Sequence, residues 1–139
     1  MDIDKERIIF LIGELEKSLG ILQEIAAEKK EELINDTRML GSVKYYFIVS
    51  IEACIDICNH IVVRERIAVP ESYSHCFKLL EDKKIISSSL SAKMSNMAKF
   101  RNLLVHLYWK IDEEQVYDIL QSELIDFDEF ITQIARKYL

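Results

Sequence analysis

A chain of 139 residues, half of them hydrophobic, is long enough for one buried core and short for two, so a single domain over residues 1–139 is expected. Three glycines and one proline leave too few turn positions for an all-β fold or a Gly-rich phosphate loop, and a formal net charge of −6 speaks against a general nucleic-acid binder. No apolar run approaches the roughly 18 residues of a membrane span, and Met1-Asp2-Ile3-Asp4-Lys5-Glu6 is acidic where a secretory signal is basic, so a cytoplasmic protein with no membrane partner is expected.

Ile8, Leu11, Ile12, Leu15, Leu19, Leu22, Ile25 and Ala26 recur at spacings of three and four, which predicts an amphipathic helix over about 4 to 30. Gly13 and Gly20 inside it each cost up to about 1 kcal/mol relative to alanine and point to close approach of a neighbouring helix. The charged run Glu28–Glu32 leads through a short turn or one-turn helix to a break near Asn35 to Thr37. Leu40, Val43, Phe47, Ile51, Cys54, Ile55, Cys58, Ile61 and Val62 then form the wide apolar stripe of a second long helix, about 38 to 66, at the centre of the core. Glu52, Asp56, Asn59 and His60 fall near one side of it. His60 reads first as a helix histidine with a satisfied ring nitrogen.

Val69-Pro70-Glu71-Ser72 ends that helix, and Ser72 can cap a third over about 72 to 82, marked by Tyr73, Phe77 and Leu80. Ser87, Ser88 and Ser89 offer caps for a fourth, whose apolar positions lead into the segment 100–109. Asp112-Glu113-Glu114-Gln115 looks like a capping box, opening one last helix through Val116, Ile119, Leu120, Phe127, Ile131, Ile134 and Tyr138. The preceding break falls near Tyr108 to Ile111. The expected architecture is an all-α up-and-down bundle of about five to six helices. The odd count of three cysteines reads as buried thiols rather than a disulfide framework. A metal site from Cys54, Cys58, Cys76, His60 and His75 has no CxxC pair behind it, so no metal and no cofactor are expected.

Charge is unevenly spread. Lys83 to Ile111 contains no acidic residue and contributes +6, leaving −12 for the rest of the chain. This basic block holds Phe100-Arg101-Asn102-Leu103-Leu104-Val105-His106-Leu107-Tyr108-Trp109. An arginine holds a phosphate bidentately, and a histidine gains or loses a proton near neutrality, so the pair suits phosphodiester chemistry. In a straight helix Arg101 and Tyr108 share a face, while His106 is turned away by about 140°. Convergence of Arg101 and His106 therefore needs a helix end, a kink or a second subunit, and the break near Tyr108 is the candidate. The plain alternative makes Arg101 an interface ion pair, His106 a core histidine, and Tyr108 and Trp109 ordinary packing.

Three segments in order resemble the HEPN superfamily and, within it, the HepT-type toxins of toxin–antitoxin pairs. They are Ile51-Glu52-Ala53-Cys54-Ile55-Asp56-Ile57-Cys58-Asn59-His60-Ile61, then Pro70 with Tyr73, Phe77 and Leu80, and then the Arg-x4-His-x-Tyr motif of Arg101, His106 and Tyr108. The resemblance implies a homodimer with the two motifs facing across a cleft, and a metal-independent ribonuclease whose substrate class, tRNA or mRNA, stays open. It implies His106 as general acid or base, Arg101 as phosphate stabiliser and Asn102 as an orienting group. It further implies a minimal nucleotidyltransferase antitoxin that silences the toxin by adding AMP to Tyr108. Two other readings compete: a non-catalytic helical module binding a nucleotide or a protein, and a scaffold for assembly with an antitoxin.

Overall fold

The computed structural model describes residues 2–139. Seven α-helices follow one another: α1 (Lys5–Ala26), α2 (Lys30–Ile34), α3 (Thr37–Arg64), α4 (Tyr73–Asp82), α5 (Ser88–His106), α6 (Glu113–Ser122) and α7 (Ile125–Tyr138). A 3-10 turn at Tyr108–Lys110 separates α5 from α6. Short polar side chains start most of them. Asp4, Asp36, Ser72, Ser87 and Asp112 each accept a backbone N–H of the first turn, satisfying donors that a helix start leaves free.

The core is built on α3, whose Val43, Phe47, Ile51, Cys54, Ile57, Cys58, Ile61 and Val62 are fully buried. Facing them on α1 are Ile8, Leu15, Leu19 and Leu22. Where the two helices meet, the buried hydroxyls of Ser18 and Ser50 bond at 2.6 Å, so neither enters the core unpaired. An 18-residue window of α3 has a mean hydropathy of 1.6, long and apolar enough to cross a bilayer; 56% of it is buried inside this fold. The expectation that no apolar stretch reaches that length is corrected here, and the apolarity serves a helix surrounded by neighbours.

Four further expectations change. The first helix stops at Ala26, short of the expected residue 30, where Gln121 donates to its last carbonyl at 2.9 Å; α2 is the short helix expected before the break. A Cβ on Gly13 or Gly20 would meet nothing within 4 Å, so neither marks a close helix crossing. The last helix is two: polarity inverts at the junction, with Ile125 exposed and Asp126 buried, and the chain turns at Glu123-Leu124 to bring Phe127, Phe130 and Ile134 onto the core. Cys58 of α3 and Cys76 of α4 form a disulfide, while Cys54 alone remains a buried thiol, pushed up by burial. The cysteine expectation missed this pair because the contact joins two helices far apart in sequence.

The same pairing removes the conceivable metal set. Among the described residues no group of three or more His, Cys, Asp or Glu side chains is placed to hold an ion. His60 Nε2 accepts the backbone N–H of Asp4 at 3.1 Å, and His75 Nδ1 accepts that of Glu71 at 2.9 Å.

Candidate functional site

Ser87 starts α5 by accepting the Leu90 N–H, and Leu90, Met94, Met97, Ala98, Phe100 and Leu104 pin its inner face to the core. The helix then runs unbroken through Arg101 and His106 and ends at Leu107 (φ −129°, ψ 37°). The break falls at the expected place, near Tyr108 to Ile111, but because it follows His106 it does not bend the helix between the two residues. Arg101 and His106 remain on different faces, about 140° apart around the axis, and one chain does not bring them together. Tyr108 sits in the 3-10 turn, so the helical register expected to align it with Arg101 is lost.

Arg101 points inward, toward α3 and α4. Its Nε donates to Glu52 Oε1 at 2.6 Å, with Nη2 against the same oxygen, and its Nη1 donates to Asn102 Oδ1 at 3.1 Å. The guanidinium lies over the Tyr73 ring, 5.1 Å from its centroid, inside the range of a cation–π contact. The arginine side chain is only 14% exposed and that of Glu52 33%. Asn102 thus meets the arginine through its side-chain oxygen.

His106 is exposed, and among the described residues its ring takes part in no hydrogen bond or ion pair. It shares the outer face of α5 with Asn96, Lys99 and Asn102, all exposed. Tyr108 and Trp109 stand out from the turn, 70% and 65% exposed, their rings edge to face at 5.4 Å. Between α5 and α6, beside this face, lies a cavity of about 550 Å³ with an apolar floor of Met97, Phe100, Leu103 and Ile119 and with Asn102 on its rim.

The basic block is partly neutralised by the fold. Lys93 lies 3.8 Å from Asp126 and 3.5 Å from Glu129 of α7, and Arg101 is paired with Glu52. Burial, ahead of the opposing effect of Lys93, raises the Asp126 carboxyl. Lys99 and Lys110 form no ion pair among the described residues and flank His106 in sequence, which keeps the motif end of α5 positive.

The arrangement, a buried-edge arginine with a fixed plane and a bare histidine at a helix end, sits on a fold whose relatives are recognisable. The family model Ribonuclease HepT-like matches residues 15–134. The chain belongs to that family. It is similar to the mRNA nuclease HepT of Shewanella oneidensis, 37% identical over 83 residues, which is 60% of this chain. That match spans 62% of the relative, less than two thirds of its length. In fold it is similar to a tri-AMPylated Shewanella oneidensis HEPN toxin in complex with MNT antitoxin, at a TM-score of 0.89 and 29% identity over 98% of this chain and 99% of that one. It is also similar to a chain of a toxin–antitoxin crystal structure with AMP-PNP, at a TM-score of 0.88 and 28% identity over 94% and 98% of the two chains.

Sequence reading singled out Arg101, Asn102, His106 and Tyr108 as candidates. It did not connect Glu52 or Tyr73 with Arg101. Glu52 was visible as a polar residue on an apolar helix, yet nothing in the sequence says that α3 and α4 meet α5 at this point.

Proposed function

We propose that this chain is the toxin of a toxin–antitoxin pair, a metal-independent ribonuclease working as a homodimer, with Arg101, Asn102 and His106 at its catalytic centre. The observation that carries the reading is the division of labour on α5: a guanidinium held in one plane, and an unengaged imidazole at the helix end, on two faces that only a second chain can bring to one phosphate. In a symmetric dimer the same surface patch meets itself, so each motif supplies what the other lacks.

The chemistry needs no external nucleophile. The RNA's own 2′-hydroxyl attacks the adjacent phosphorus, His106 accepts its proton, and the P–O5′ bond breaks as a solvent water gives a proton to the leaving oxygen and recovers one from His106. The products are a 2′,3′-cyclic phosphate and a 5′-hydroxyl. Arg101 stabilises the charge that develops on the phosphate oxygens, and Asn102 holds Arg101. Tyr108, exposed beside the motif, is open to AMP addition by a minimal nucleotidyltransferase antitoxin. The added phosphodiester puts negative charge and bulk where RNA must lie.

The test is cleavage of single-stranded RNA in EDTA by wild type and by His106→Ala. Acid–base help of this kind is typically worth about 10²- to 10⁴-fold, and loss on that scale with an unchanged melting temperature is the expected result. Normal cleavage by the variant would sink the assignment. Intact mass after incubation with the nucleotidyltransferase and ATP, compared with Tyr108→Phe, checks the modification.

A second reading takes the Glu52 pair as evidence that Arg101 is merely structural and the chain a non-catalytic binding module. It expects no RNA cleavage from wild type at all.

A further inference from the structure

We propose that Glu52 and Tyr73 are positioning residues that fix the plane of the Arg101 guanidinium and leave its terminal N–H groups for a substrate phosphate. This inference rests on the ribonuclease reading and specifies how its anion-binding group is set.

A guanidinium carries five N–H donors in a rigid planar fork. Glu52 occupies the edge formed by Nε and Nη2, and Asn102 takes one donor of Nη1. One N–H on each terminal nitrogen is left without a protein partner among the described residues. Those two nitrogens form the end of the fork, the edge suited to two oxygens of one phosphate. The Tyr73 ring beneath the plane removes the remaining freedom to roll.

Each element of the clamp comes from a different helix: Glu52 from α3, Tyr73 from the first turn of α4, Arg101 and Asn102 from α5. Phe47, one turn before Ile51 on α3, packs edge to face on Phe100, the residue preceding Arg101, at 5.3 Å. The backbone that bears the arginine is therefore seated on the same helix that supplies the carboxylate. Glu52 also places a negative charge beside the incoming phosphate. A carboxylate in that position weakens substrate binding, so its presence is explained by orientation and not by affinity.

The opposed effects give the test. In Glu52→Gln the side chain keeps an oxygen that can accept from Nε but loses the charge that holds the guanidinium. The expected result is a kcat lowered by about 10-fold or more, since misplacement on the order of 1 Å can cost 10²-fold, with a KM equal to or below that of wild type. Glu52→Ala should lower kcat further. A kcat that stays at the wild-type value in Glu52→Gln, or a KM that rises in step with a falling melting temperature, overturns the proposal.

Nitrogen-15 NMR of the arginine side chains provides a readout independent of turnover. Wild type should show one Nε–H protected from solvent exchange, assigned to Arg101 by Arg101→Lys, and Glu52→Ala, which removes the acceptor, should lose that protection. An Arg101 Nε–H that exchanges freely in wild type also overturns the proposal. If wild type cleaves no RNA, the functional reading falls, while the protected Nε–H still decides whether Glu52 holds the arginine.

Discussion

Arg101 and His106 belong to one helix and one motif, yet they have opposite surroundings. Arg101 is gripped on one edge by Glu52, at one donor of Nη1 by Asn102 and on its face by Tyr73. His106 projects from the last turn of α5 with no side-chain partner among the described residues. The difference separates two kinds of precision. A charge that must be held in a fixed plane can be set by a single chain's packing, at the cost of desolvating an ion pair. A proton carrier whose partner lies on another face is set only when a second surface arrives.

This contrast is sharpest in mixed dimers. Homodimers of Arg101→Ala and of His106→Ala should both be inactive. If each centre takes its arginine from one chain and its histidine from the other, mixing the two variants restores one intact centre in every mixed dimer. Random exchange makes half the dimers mixed, so activity should return to roughly a quarter of wild type. If both groups came from the same chain, every centre would lack one of them and the mixture would stay inactive. Measuring cleavage after co-refolding the two variants decides between these, and a silent mixture breaks the two-surface account.

How much of this was legible without the structure follows the same division. Helix starts were readable because Asp36, Ser72, Ser87 and Asp112 are cap residues followed by apolar periodicity. The end of α3 was blurred because the left-handed residue that closes it is Arg66 (φ 54°), where glycine would have signalled the stop, whereas the end of α4 at Asp82 was read as it stands although Lys84 (φ 59°) is again no glycine. Both ends nevertheless close with the bonding of a Schellman motif, Ile67 N–H to Val62 O and Ile85 N–H to Leu80 O. The α6–α7 break was hidden because Val116, Ile119, Leu120, Phe127 and Ile134 keep a spacing compatible with one helix. The motif residues were visible as a pattern, whereas the Glu52–Arg101 pair joins positions 49 apart and the Cys58–Cys76 pair positions 18 apart. Such contacts are products of packing, which periodicity does not encode.

His60 offers a control for His106, since one imidazole is tied into the fold and the other is free. Burial, then the nearby Arg64, lowers the His60 pKa, and its Nε2 must be unprotonated to accept the Asp4 N–H. A group whose folded pKa is depressed contributes stability above its unfolded pKa, about 6.5 for histidine, and loses it as pH falls toward the folded value. Melting temperature should therefore drop as pH is lowered from about 7 to 5, and His60→Gln should flatten that slope. Asp56, Glu123 and Asp126 have raised pKa values, chiefly through burial, and work in the opposite sense at lower pH. Comparison of each variant with wild type at the same pH separates these contributions.

The outer face of α1 provides the smallest and most discriminating test of which surface meets a second chain. Ile9 and Phe10 are 56% and 55% exposed there, so an apolar contact patch could be sought on α1 as readily as a motif contact on α5. Gly13 lies one turn further along the same helix, exposed, with open space around an added Cβ. Gly13→Ala removes the entropic penalty of a helix-interior glycine and should stabilise the chain by about 1 kcal/mol. Cleavage and oligomeric state should not change, because α1 is remote from the motif surface in the two-surface account. A variant that instead dissociates the oligomer, by light scattering, would locate the contact on α1 and leave His106 without the facing chain that its chemistry requires.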